Sequence, residues 1–240
     1  MNTAVLKIMS RVVLADRKIK IKLLGDSITH GVGGTGFEQN GELIAEDFRR
    51  NPDGYCWAKL FFEHMESHYN CAVVNNGCTG TKIEFIIKHF DTLVEKDDDI
   101  IICTIGTNNR AQLFSDAPRR TREAHLKLVY SSILELYGMF KAAGKDVIFV
   151  ANIPASLQNE KDGDHYWRVI HMNDINDLYM KASVECGFPL ISLYTRFMEY
   201  CDMRGVELDT LLSDGLHPNN EGYTVMYRLL MRELGLGVKV

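Results

Sequence analysis

Ile100-Ile101-Ile102-Cys103-Thr104-Ile105 is apolar on nearly every residue instead of on every second one. A strand with one wet face alternates, whereas a strand covered by helices on both faces does not, so this run reads as the central strand of a parallel sheet. Strand-like runs recur on either side of it at Ile19 to Leu24, Cys71 to Val74, Val147 to Val150 and Pro189 to Leu193. Each ends in a polar or glycine-bearing segment, and each is separated from the next by a stretch that can hold a helix. That alternation predicts an α/β fold with a parallel sheet.

The clearest helix follows the central strand. Leu126, Val129, Tyr130, Ile133, Leu136, Tyr137 and Phe140 recur at steps of three and four, and Gly144 then supplies a stop. Weaker patterns follow Asp53 (Trp57, Leu60, Phe61, Met65), Thr81 (Phe85, Ile86, Phe90), Trp167 (Ile170, Ile175, Leu178) and Glu221 (Val225, Met226, Leu229, Leu230). Two connections, Thr29 to Pro52 and Asn152 to Tyr166, are longer than a compact fold needs. Both leave strand C-terminal ends, where open α/β sheets bind ligands, so both are expected to wall a substrate.

The 240 residues are 46% hydrophobic and 25% charged, which is enough chain and enough apolar matter for one globular domain of ordinary composition. A formal charge of -5 leaves no basic footprint for nucleic acid or an anionic membrane. The acidic run Asp97-Asp98-Asp99 reads as a solvated start to the central strand. Six cysteines (Cys56, Cys71, Cys78, Cys103, Cys186, Cys201) lack the paired spacings of a zinc site or disulfide scaffold, so buried free thiols in a reducing compartment are expected. Lys7 and Arg11 interrupt the apolar positions of the first eleven residues, which argues against a signal peptide, and no segment is long and apolar enough to span a bilayer. A cytoplasmic location is the resulting expectation.

Chemistry concentrates in two short segments, Gly25-Asp26-Ser27-Ile28-Thr29 and Ser213-Asp214-Gly215-Leu216-His217-Pro218-Asn219. Asp-x-x-His within one turn projects both side chains to one side, so the carboxylate can hold the imidazole Nδ1–H while Nε2 faces a nucleophile from elsewhere in the fold. Ser27 is the candidate nucleophile. A serine hydroxyl needs a base, which assigns His217, and the base needs orienting, which assigns Asp214. The oxyanion of acyl transfer needs donors fixed in advance, and the segments after the second and third strands supply them: the Gly80 N–H, the Asn108 amide and, as a third, the Ser27 N–H.

Other motifs carry less. Gly31-Val32-Gly33-Gly34-Thr35-Gly36 has the spacing of a dinucleotide fingerprint, but it begins well past the strand end and Asn40-Gly41 interrupts the helix such a site requires. It reads as a flexible glycine loop bordering the serine. His64 and His68 stand four apart with Met65 where a zinc protease motif has its glutamate, and no third ligand is apparent, so they read as surface histidines. Cys78 is too isolated from a base to serve as a nucleophile.

Gly25-Asp26-Ser27-Ile28-Thr29, Asn75-x-Gly77-x-x-Gly80, Gly106-Thr107-Asn108-Asn109 and Asp214-x-x-His217-Pro218 follow one another in an order that resembles the SGNH, or GDSL-type, hydrolase family. The resemblance implies Ser27, Gly80, Asn108 and His217 as the four signature residues, with Asp214 completing the triad. It also implies a three-layer α/β/α sandwich of flavodoxin-like type, with residues 18–240 as a single SGNH hydrolase-like catalytic domain and residues 1–17 as an N-terminal extension of unassigned role. Asn109 departs from the family, which usually has aspartate there. Asp214 to Asn219 followed by Gly222-Tyr223 is similar to the carbohydrate-esterase branch, including acetyl xylan esterases.

What this implies is a metal-independent, cofactor-free serine esterase that removes a short acyl group, foremost acetyl, from a carbohydrate or other small hydroxylated compound through an acyl-serine intermediate. A lysophospholipase or thioesterase on the same machinery is the alternative enzyme, and would need an apolar acyl channel. A catalytically silent binding module on the same fold is the alternative of another class; the intact Ser27, Asp214 and His217 weigh against it. No sequence feature sets the oligomeric state.

Overall fold

In the computed structural model, which describes residues 2–37 and 51–237, the apolar run at 100–105 lies at the centre of the sheet. The strands among the described residues are, in chain order, β1 (Ile19–Gly25), β2 (Cys71–Gly77), β3 (Ile100–Thr104), β4 (Ala111–Leu113), β5 (Asp146–Ala151), β6 (Tyr166–Arg168) and β7 (Leu190–Ser192). Five of them form one all-parallel sheet in the order β2-β1-β3-β5-β7. Counted by main-sheet strands alone this is the flavodoxin-like order 2-1-3-4-5. The other two, β4 and β6, make a short antiparallel ribbon outside it.

The unbroken apolar run of β3 follows from two separate cores. Ile100 and Ile102 point into one hydrophobic cluster while Ile101 and Cys103 point into the other, and all four are fully buried. The first cluster packs α1 (Thr3–Val13), α3 (Trp57–His68), α8 (Leu193–Arg204) and α9 (Asn220–Glu233) through residues such as Met9, Trp57, Phe197 and Met226. The second packs α4 (Ile83–Lys88), α5 (Phe90–Leu93), α6 (Arg122–Ala142) and α7 (Met172–Cys186) through Ile86, Phe90, Leu136 and Tyr179. Each fully buried aliphatic side chain contributes about 1.5–3 kcal/mol, so the alternation holds both helical layers to one strand.

Several elements depart from the sequence pattern. Residues 3–13, set apart as an extension, form α1, whose Val5, Ile8, Met9 and Val12 join the first cluster. The helix expected after Trp167 begins only at Met172, because Trp167 pairs with Gln112 in the ribbon and packs its ring 4.9 Å from Phe114. The acidic run is not simply solvated: Asp98 is buried against Lys22, at 3.1 Å, and Asp99 accepts hydrogen bonds from Arg17 and the Lys20 N–H. Of the six free cysteines five are buried, but Cys186, at the last turn of α7, is exposed. Among the described residues no helix is long and apolar enough to cross a membrane. Most of the first long connection, residues 38–50, lies outside the described residues, and with it the expected wall there and Asn40-Gly41.

Candidate active site

β1 ends at Gly25, and Asp26 caps the helical turn α2 (Ser27–His30) by accepting the Ile28 N–H at 3.0 Å, which makes Ser27 its first residue. The carbonyls at the end of so short a helix have no helical partner. Side chains from three other elements satisfy them: Trp57 Nε1 donates to Ile28 O at 2.9 Å, Asn75 Nδ2 to Thr29 O at 2.8 Å and the Tyr223 hydroxyl to Val32 O at 2.6 Å. The turn that begins at Ser27 is therefore pinned from three other elements. Asp26 itself is wholly buried, with Asn152 Nδ2 at 3.2 Å. Burial pushes its carboxyl up from the ordinary range, and hydrogen bonds from Thr107 and the Ile28 N–H oppose that.

The C-terminal motif meets it across the fold. Ser27 Oγ lies 2.8 Å from His217 Nε2, and His217 Nδ1 lies 2.7 Å from Asp214 Oδ2. With Nδ1–H donating to the carboxylate, Nε2 is left to accept the serine proton. Asp214 Oδ1 also accepts the Leu216 and His217 N–H groups at 3.0 and 2.8 Å. Partial burial pushes the Asp214 carboxyl up, but these bonds from His217 and Leu216 outweigh it and bring the pKa down to about 2. The carboxylate thus stays charged wherever the imidazole can act as a base.

The glycine loop belongs to this turn. Gly33 has φ +94°, and a Cβ there would stand 2.5 Å from Pro218 O, 2.6 Å from Ser213 Oγ and 2.9 Å from His217 Cβ. The middle glycine of the G-x-G-x-x-G spacing is therefore set by close approach to the histidine turn, whereas a Cβ at Gly31 would meet Cys56 and one at Gly36 would meet Asn51. Gly33→Ala is expected to destabilise the chain by about 1–3 kcal/mol through its backbone alone. It should also lower kcat by pushing His217 off Ser27. Thermal melts together with ester kinetics check this, and a variant with wild-type kcat would contradict it.

Gly80 and Asn108 come from the neighbouring strand ends. The Cys78 N–H donates to Gly25 O at 3.0 Å, tying the loop after β2 to the end of β1. Asn108 Nδ2 donates to Thr81 O at 3.0 Å, tying the turn after β3 to the residue that follows Gly80. Gly80 is exposed with φ +74° and open space at the Cβ position, so its requirement is conformational. A cavity of about 420 Å³, lined by Cys78, Gly80, Thr81 and Phe85 among others, opens beside it.

Asn109 has a role that suits an amide better than a carboxylate. Its Oδ1 accepts the Ile83 N–H at 3.0 Å, capping α4, while Nδ2 donates to Glu84 Oε2 at 2.9 Å. Aspartate would put two carboxylates in contact. Asn109→Asp is expected to cost about 1–3 kcal/mol at neutral pH by setting a second carboxylate against Glu84 and leaving it the Ser132 hydroxyl, at 2.8 Å, as its remaining side-chain donor. Chemical denaturation of that variant and of the Asn109→Asp/Glu84→Gln pair checks this, with the pair expected to recover most of the loss.

The sequence model of one family, the GDSL-like lipase/acylhydrolases, matches residues 23–225. The chain belongs to this family. Among solved structures, this GDSL-type chain is similar to Axe2, an acetylxylan esterase from Geobacillus stearothermophilus, with a TM-score of 0.68 and 18% identity over 92% of this chain and 96% of that one. A catalytic mutant of Axe2 gives 0.69 and 17%, covering 93% and 98%. LAE5, an α/β hydrolase from the metagenome of Lake Arreo, Spain, gives 0.64 and 20%, covering 92% and 98%. At such identities the likeness is one of fold. Among curated protein sequences no match is found.

Behind the site, this GDSL-type chain has buried polar residues that sequence reasoning missed. Arg110, 1% exposed, donates from Nε to Thr107 O at 2.9 Å and from one guanidinium nitrogen to Asn159 Oδ1 at 3.1 Å, and pairs with Glu160 at 2.8 Å. Asn152 donates to Thr107 Oγ1 at 2.6 Å as well as to Asp26. These side chains fasten the 152–168 segment to the turn that carries Asn108. The local signal at Asn152 is a polar residue directly after an apolar strand, and at Arg110 a charge in the turn beyond one, which is also what a solvated loop looks like. Among the described residues the one trio that could hold a metal is Glu95, Asp97 and Asp98, at the opposite end of the sheet and already against Lys20 and Lys22.

Proposed function

We propose that this chain is a serine esterase that hydrolyses short-acyl esters, foremost acetyl, of a carbohydrate or other small hydroxylated compound. The continuous Ser27–His217–Asp214 hydrogen-bond chain, at 2.8 and 2.7 Å, carries the reading. Ser27 Oγ attacks the ester carbonyl as His217 Nε2 takes its proton, and the oxyanion is held by the Gly80 and Ser27 N–H groups and the Asn108 amide. The imidazolium then gives that proton to the departing alcohol. Water, deprotonated by the same imidazole, attacks the acyl-serine, and the carboxylic acid leaves with Ser27 restored. Family membership supports the ester-hydrolase class. The acetyl and carbohydrate parts take support from Axe2, named an acetylxylan esterase, whose catalytic mutants replace an aspartate, a histidine and a serine.

One observation favours a second reading. The cavity beside Gly80 includes Phe85 and Cys78 and has room for more than an acetyl group, as a lysophospholipase or thioesterase would require. A p-nitrophenyl ester series from acetyl to octanoyl, run with chelator present, separates the two. On the acetyl reading kcat/KM falls with length and chelator changes nothing, since no step calls on a metal. On the lipolytic reading each methylene buried in that cavity adds about 0.8 kcal/mol, so kcat/KM rises toward octanoyl.

A further inference from the structure

The leaving alcohol is protonated by His217 Nε2, so it must depart on the side of the histidine turn. On that turn a second cavity, of about 520 Å³, has Asp214 as part of its wall. It runs between residues 156–166 and 209–215, with Gln158, Asn159, Asp162, Tyr166 and Asp209 also lining it. Asp214 is 52% exposed on its outer side while its inner oxygen holds His217 Nδ1, so the cleft begins at the far end of the Ser27–His217–Asp214 chain, and an alcohol must extend past the imidazole from Ser27 Oγ to enter it.

We infer that this cleft is the subsite for the alcohol half of the ester, and that the alcohol is a neutral polyhydroxylated compound; the inference rests on the serine-esterase reading above. The lining offers amides, a phenol and carboxylates, which match hydroxyls that both donate and accept. Asp162 is paired with Arg119 at 3.2 Å, which leaves Asp209 and Asp214 facing Lys161, so the cleft has no surplus of cations to hold a phosphorylated or carboxylated alcohol. Leu212 and the Tyr166 ring are the large apolar surfaces in the lining, which suits the C–H face of a polyol better than a long acyl or alkyl chain.

The wall is also built before any ligand arrives. Arg110 holds the Asn159 side chain from behind, and Arg168 donates to Asn159 O and to the Tyr166 hydroxyl, each at 3.1 Å. The Ser156 N–H donates to Gly215 O at 2.8 Å, bridging the two sides of the cleft. A buried guanidinium–carboxylate pair such as Arg110–Glu160 is weak support for stability, but it fixes where Asn159 and its neighbours stand. Fixed hydrogen-bonding groups bind a polyol at less ordering cost than mobile ones.

The test compares Gln158→Trp, which fills the cleft from an exposed position, and Asp209→Ala, which removes an exposed acceptor. For each, kcat/KM is measured on monoacetylated xylobiose and on p-nitrophenyl acetate, with free xylobiose as inhibitor. The ratio of sugar ester to aryl ester is expected to fall at least about tenfold in Gln158→Trp and about threefold in Asp209→Ala, the scale of one to two lost hydrogen bonds. Xylobiose should inhibit the unsubstituted chain competitively and both variants less. A ratio within about twofold of the starting value in both folded variants overturns the subsite, as does a preference for a phosphorylated over a neutral polyol acetate. Failure of the esterase reading looks different: sugar and aryl esters would both still be hydrolysed after Ser27→Ala.

Discussion

Ser27→Ala is expected to turn over p-nitrophenyl acetate about 10⁴–10⁶-fold more slowly than the unsubstituted chain, with an unchanged circular dichroism spectrum. On the proposed mechanism the loss is that of the covalent route, and what remains comes from the oxyanion donors acting on a water. The fold has little reason to change. Ser27 is the first residue of α2, a position alanine accepts, and the bonds that fix this turn run through Asp26, Trp57, Asn75 and Tyr223. Its hydroxyl has His217 Nε2 as its partner, so the substitution frees one imidazole nitrogen and nothing structural. A complementary measurement is the mass of the chain quenched during turnover, which should carry one acetyl group on Ser27. Near-normal rates in the alanine variant, or an acetyl group on another residue, would remove Ser27 from the nucleophile's role.

How much of this was legible in the chain depended on whether the physical cause was local. The parallel sheet was, because a doubly covered strand must be apolar throughout, and β3 splits its side chains between two cores as that reading requires. The meeting of Ser27, His217 and Asp214 was, since Asp214 and His217 share one turn and Ser27 follows a strand end. The ribbon of β4 and β6 was not: strands of three residues are too short for any periodicity, and the helical spacing of Trp167, Ile170, Ile175 and Leu178 competed with it. α8 has only Leu193, Phe197 and Cys201 buried, a stripe too thin to separate from loop. α1 is the instructive case. Lys7 and Arg11, which broke the apolar run expected of a signal peptide, lie opposite Val5, Ile8, Met9 and Val12 and mark the polar face of an amphipathic helix. Arg110–Glu160 and Lys22–Asp98 were illegible for another reason, since a charge reads as surface until its partner from a distant segment is known.

Asn108→Ala separates chemistry from architecture at the same site. Asn108 Nδ2 carries two hydrogens; one goes to Thr81 O at 3.0 Å, and on the proposed mechanism the other meets the oxyanion. A donor aimed at charge that exists only in the transition state stabilises that state and not the bound ester, so removing it should lower kcat by about 10²–10³-fold with KM nearly unchanged. The Thr81 bond predicts something else. Its loss would loosen the loop after β2, including Gly80 and the cavity beside it, and looseness there would raise KM and lower the melting temperature. Asn108→Asp sharpens the distinction, since the carboxylate keeps the shape, donates nothing when ionised and places negative charge beside a developing oxyanion; its kcat should fall at least as far as that of the alanine variant. Steady-state kinetics on acetyl esters with parallel thermal melts decide between the two. A fall confined to kcat in both variants supports Asn108 as an oxyanion donor, whereas an unchanged kcat with raised KM would leave it only a brace between the β2 and β3 loops.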